Sequence, residues 1–134
     1  MMAYIWPDQD DRIKRAEAAI AVARAFPPPV EQGDGVDWIE RRLALPQQAG
    51  VTRVIYHSIA LQYFPSEGRQ RVRDAIHAAG DRATPERPLA WLWMEFPGEV
   101  TSASLDLTCW PGGERQTLAQ VHPHGAHVNW LADS

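Results

Sequence analysis

The chain has 134 residues, 45% of them hydrophobic and 22% charged, an ordinary globular composition that excludes bulk disorder. Thirteen basic residues against 17 acidic ones leave a net charge of -4, which excludes the basic field that recruits nucleic acid or an anionic membrane. The single cysteine, Cys109, excludes an internal disulfide and a cysteine-based zinc site.

Such a length suits a single domain over residues 1–134, burying roughly two thirds of the surface its unfolded chain exposes. No run reaches the roughly 18 apolar residues of a spanning helix. The N-terminus Met1-Met2-Ala3-Tyr4-Ile5-Trp6-Pro7-Asp8 lacks the basic and apolar regions of a secretory signal, so the expected compartment is the cytoplasm.

In chain order, Trp6-Pro7-Asp8 reads as a helix entrance with Asp8 or Asp10 as the cap. Ile13, Ala16, Ile20 and Ala23 recur at helical spacing, predicting a helix from about Asp10 to Ala25, ended by Pro27-Pro28-Pro29. Val30 to Gly35 is too short for more than an edge strand and a turn. A second helix, about Gly35 to Leu43, carries Val36, Ile39 and Leu43 on one face. Val51 to Leu61 is a near-continuous apolar strand, which predicts burial on both faces, as in a parallel sheet. Ser66 is placed to cap a third helix whose inward side is Val72, Ala75, Ile76 and Ala79, ending at Gly80. Pro88 to Phe96 is a second buried strand, so strand, helix, strand form a right-handed crossover with parallel neighbours. Leu105, Leu107 and Cys109 then alternate with Asp106 and Thr108, and Pro111-Gly112-Gly113 turns the chain into Arg115 to His122, an antiparallel hairpin. The expected fold is α/β: a mixed sheet of about four strands, a parallel pair plus a C-terminal hairpin, covered by three helices.

Ile5-Trp6-Pro7-Asp8-Gln9 with Arg12, Tyr56-His57-Ser58, Pro88-Leu89-Ala90-Trp91-Leu92, Leu107-Thr108 with Trp110-Pro111-Gly112-Gly113, and Pro123-His124-Gly125 with Trp130 form a set of motifs along almost the whole chain. Together they resemble the C-terminal portion of an uncharacterised bacterial family, domain of unknown function 2332. The element order also looks like the second half of a Rossmann-like methyltransferase domain of the class that uses S-adenosylmethionine. Members of the family are longer, so the sequence resembles a half: a fragment, a truncated gene or a deliberate piece. In the methyltransferase class a glycine-rich loop after the first strand holds the methionine end of the cofactor, and no counterpart stands here. The resemblance implies that Asp34, in Gly33-Asp34-Gly35, meets the adenine ring of an intact domain, and that this chain alone binds no cofactor. The same tripeptide also reads as an ordinary Asp-Gly turn.

Three groups of residues carry candidate chemistry. His57-Ser58 ends the first long strand, where open α/β sheets keep their ligands, and an imidazole there is a candidate general base. The alternative is a histidine satisfied by the backbone. Glu95, at the end of the neighbouring strand, lies at the level of His57, so the two can pair across a cleft and shift each other's pKa. His122, His124 and His127 are weak metal candidates, against the plainer reading of a strand ending in a turn. Trp91 and Trp93 share one strand face and read as core, whereas Trp6 and Trp130 read as exposed.

Three functions follow as expectations: a methyltransferase-like domain inactive alone, acting on a small-molecule substrate when intact; a non-catalytic interaction domain; and a histidine-based metal enzyme. Absence of the central strands leaves Val51 to Leu61 as an unpaired edge. The expected partner is therefore a second copy or a separately encoded N-terminal half.

Overall fold

The computed structural model describes residues 5–6, 8–98 and 102–131. The chain forms two compact units, residues 1–32 and 33–134. The first holds α1 (Asp10–Ala25), with the bounds its apolar spacing predicts. Neither Asp8 nor Asp10 caps it. Gln9 is the N-cap and uses its amide oxygen instead on Arg12, at 2.6 Å, while Asp10 and Asp11 place negative charge in the first turn. Pro7 of the expected entrance lies outside the described residues. Val30 to Gln32 form no strand, since three prolines remove consecutive backbone donors just before them.

The second unit begins with α2 (Gly35–Ala44), followed by β1 (Arg53–Ser58), a short 3-10 turn at Leu61–Tyr63, α3 (Ser66–Gly80) and β2 (Leu89–Glu95). It finishes with β3 (Ala103–Trp110), β4 (Arg115–Val121) and β5 (Val128–Trp130). The five strands lie in chain order; β1 and β2 are parallel and every later neighbour is antiparallel. The sheet thus has one strand more than expected, because three residues after a histidine-rich turn are too few to show a period of two. Ser66 does not cap α3 either. It is the first helical residue, Pro65 takes the N-cap position, and no side chain closes that end.

The strand expected over Val51 to Leu61 is shorter and burial alternates along it, with Val54 and Tyr56 61% and 62% exposed. Burial on both faces therefore fails for β1. It is the edge of the sheet, and its outer side pairs with no strand among the described residues. Arg53, Ile55 and His57 point to the other face, where Val36 and Leu43 of α2 and Val72 and Ile76 of α3 pack with Leu89, Trp91 and Trp110. A β-carbon on Gly80 would clash with the Trp110 indole, so glycine is what lets the end of α3 approach the sheet.

Antiparallel register sets Leu89, Trp91, Trp93 and Glu95 opposite Trp110, Thr108, Asp106 and Ser104. These eight residues share the helix-covered face. Leu92, Met94, Leu105 and Leu107 occupy the opposite face and are only partly buried, whereas Asp106 and Thr108 are 0% and 3% exposed. The polar half of the hairpin alternation thus faces inward.

Candidate functional site

The carboxyl ends of β1 and β2 converge on Glu95. After Ser58, Ile59 adopts φ 47° and donates its N–H to the Met94 carbonyl at 2.8 Å. A β-branched residue in the left-handed region costs about 1–3 kcal/mol and persists where surrounding contacts determine it. Here the bend aims the next two N–H groups at one carboxylate oxygen: Ala60 N donates to Glu95 Oε1 at 2.8 Å and Leu61 N at 2.9 Å. His57 Nδ1 lies 3.0 Å from the same oxygen.

The state of His57 follows from its other nitrogen. Trp91 Nε1 lies 3.1 Å from His57 Nε2, and an indole N–H only donates. Nε2 therefore accepts, and the neutral ring carries its proton on Nδ1, where it donates to Glu95. Burial holds the His57 pKa below its ordinary 6.5; the hydrogen bond and charge of Glu95 oppose this, and the Arg73 guanidinium adds to the lowering. The imidazole is thus neutral, with its proton and its lone pair both engaged.

Beside this network lies a cavity of about 320 Å³, bounded by Trp91 and Trp93 on the sheet, Arg73 and His77 on α3, and Arg115 on β4. Trp91 and Trp93 stack at 4.2 Å between ring centroids, and the Arg115 guanidinium sits 5.4 Å over Trp93. Arg115 is anchored from below: its Nε donates to Asp106 Oδ1 at 3.0 Å, and Ser104 and Thr117 donate hydroxyl bonds to the same carboxylate at 2.6 and 2.7 Å. Burial alone would raise the Asp106 pKa, but the Arg115, Ser104 and Thr117 bonds together hold it below the ordinary 3.8.

A larger cleft, about 580 Å³, runs between α2 and β1, walled by Trp38, Ile39, Ile55 and Phe64. It is mainly apolar and follows the open strand edge, which is the form of a packing groove rather than of a site with placed polar groups.

The structure therefore brings His57 and Glu95 together but leaves Ser58 out, since Ser58 is exposed on the opposite face of β1. Asp34 is the N-cap of α2, its Oδ1 accepting from Val36 N at 2.9 Å and Asp37 N at 3.1 Å. That capping role accounts for the residue without a ligand. His122, His124 and His127 surround the turn between β4 and β5, with ring centroids 5.3 and 5.8 Å from that of His122. Among the described residues no group of histidine, cysteine or carboxylate side chains is arranged to hold a metal ion. Asp106, Arg115 and the Trp91 donor were not candidates in the sequence. The available signal was that Ser104, Asp106, Arg115 and Thr117 hold alternate positions on two arms of one hairpin, so that register makes them neighbours.

Over residues 1–130 the sequence matches the family described as an uncharacterized protein conserved in bacteria (DUF2332). No curated protein and no solved structure matches the chain. Among the described residues no helix is long and apolar enough to cross a membrane.

Proposed function

We propose, from the premise that the chain belongs to the uncharacterized family conserved in bacteria (DUF2332), that it is the substrate side of a methyltransferase-like α/β domain and is inactive alone. The observation that carries this reading is the pairing of an open parallel edge with a polar pocket. Among the described residues β1 leaves its outer side unpaired beside a 580 Å³ apolar groove, and the same strand ends in the His57–Glu95 cradle. A parallel strand with one unpaired edge is an unfinished sheet, and ligands of open α/β sheets lie outside the carboxyl ends of adjacent strands. A strand from a separately encoded N-terminal half, or in its absence from a second copy, completes the sheet.

S-adenosylmethionine is the cofactor of the intact domain in this reading. The residues present do not make its site: the one carboxylate the resemblance offers, Asp34, already caps α2, and no glycine-rich strand-turn-helix accompanies it. His57 and Glu95 hold the bend at Ile59 and thereby shape the pocket floor. Calorimetry of this chain with S-adenosylmethionine is expected to show no tight binding, and light scattering to show a dimer. Submicromolar affinity for the cofactor, or a monodisperse monomer, would sink the reading.

A non-catalytic interaction domain is the second reading. It is favoured by the engagement of both His57 nitrogens, which leaves the histidine no lone pair for proton abstraction. Methyl transfer by the completed domain that survives His57→Gln but not closure of the pocket would separate binding geometry from base catalysis.

A further inference from the structure

The 320 Å³ pocket is lined by two charges of opposite sign that have bonding capacity to spare. Arg73 projects from α3 into its lining and makes no hydrogen bond or ion pair among the described residues. Glu95 lines the same pocket; all three of its bonds fall on Oε1, so Oε2 has no partner among those residues. The other charge on the wall, Arg115, is matched by Asp106 beneath it, and His77 stands edge-on to Trp91 and Trp110 at 5.9 and 5.6 Å. Thr108 is a further polar group without a match: 3% exposed, it has no side-chain hydrogen bond among the described residues and lines the pocket. A nearly buried hydroxyl left open toward a cavity is a waiting hydrogen-bond group.

The geometry points to a small zwitterion of the α-amino-acid type as the ligand of this pocket. Its carboxylate meets Arg73 and the Thr108 hydroxyl, its ammonium meets Glu95 Oε2, and an apolar side chain lies along Trp91 and Trp93. An anion alone would sit against the Glu95 carboxylate, and a cation alone against the Arg73 guanidinium; a ligand with both charges meets each wall with the opposite sign. The cavity lies at the small end of the usual range of about 300–1,000 Å³, which suits an amino acid and is tight for a nucleoside cofactor. The inference rests on the pocket being the ligand side of the domain, but not on methyl transfer.

Calorimetry of the full chain tests it with three probes of one shape: L-phenylalanine, 3-phenylpropionate and phenethylamine. Phenylalanine is expected to bind about tenfold or more tightly than either singly charged analogue, the difference one lost charge-assisted hydrogen bond makes. Arg73→Gln, on an exposed helix position, is expected to abolish the preference over phenethylamine while far-UV circular dichroism stays unchanged. Equal binding of 3-phenylpropionate would show an anion site, equal binding of phenethylamine a cation site, and millimolar phenylalanine without heat an unused cavity; each overturns the inference. Amino-acid binding by a monomer would sink the sheet-completion reading and leave this one standing, whereas a dimer that ignores all three probes would do the reverse.

Discussion

Two carboxylates share one face of the sheet and are held in opposite ways. Asp106 is 0% exposed and receives all its donors from side chains of its own hairpin, Ser104, Arg115 and Thr117. Glu95 has a side chain 15% exposed, and its donors lie 34 to 38 positions away: His57, Ala60 N and Leu61 N. The first is a closed node built by local register, with both oxygens engaged. The second ties two chain segments together through one oxygen and leaves the other toward a pocket. Satisfaction separates them: a fully bonded buried carboxylate serves stability, and a half-bonded one beside a cavity is available to a ligand.

Removing each carboxylate tests that contrast most strongly. Asp106→Ala is expected to cost about 3 kcal/mol of unfolding free energy, since three donors, Ser104, Thr117 and Arg115, lose a fully buried acceptor together. Glu95→Ala is expected to cost less, about 2 kcal/mol, because solvent enters from the pocket and Ile59 can relax its backbone. Urea melts of both variants check the order, and a reversed order would show that the strained turn at Ile59, not the hairpin, anchors the domain.

Acid separates the two networks next. His57 has a folded pKa below its unfolded 6.5, so the unfolded state binds its proton first, and this contribution is complete above pH 6.5 and declines as pH falls below it. Asp106 has a folded pKa below 3.8, so its contribution is present above that value and is lost only as pH falls through the folded pKa. Stability followed by urea midpoint is therefore expected to fall in two steps, the first abolished by His57→Gln and the second by Asp106→Asn. A single step near pH 4 would mean that the His57 network carries no linked proton.

The smallest effect concerns the tautomer. Trp91→Phe removes the only donor to His57 Nε2 among the described residues, so the ring nitrogen regains a free lone pair. The His57 midpoint in an NMR titration is expected to rise toward its ordinary value, with Nδ1 still protonated at neutral pH; an unchanged midpoint would assign the lowering to burial and the Arg73 charge without the indole.

Much of this architecture is written locally. Ile13 through Ala23 place α1 to the residue, the run Pro88 to Phe96 contains β2, and Pro111-Gly112-Gly113 marks the turn that joins β3 to β4. The meeting of His57 and Glu95 was legible too, because parallel strands end at one level and both residues stand at strand ends. Trp91, also on β2, shows the limit: its place in the core was readable, its bond to His57 Nε2 was not, since that depends on side-chain rotamers across two strands.

Composition and alternation by themselves determined an α/β chain with a polar end on its first strand, and which hairpin residues share a face: Asp106 and Thr108 against Leu105, Leu107 and Cys109. Only the tertiary structure decided which of those faces is inside. A period of two fixes partition, not direction, and direction is set by where α2 and α3 dock. They dock over Leu89, Trp91 and Trp110, whose bulk dominates that side, and so carry Asp106 into the interior, where Ser104, Arg115 and Thr117 make its burial tolerable.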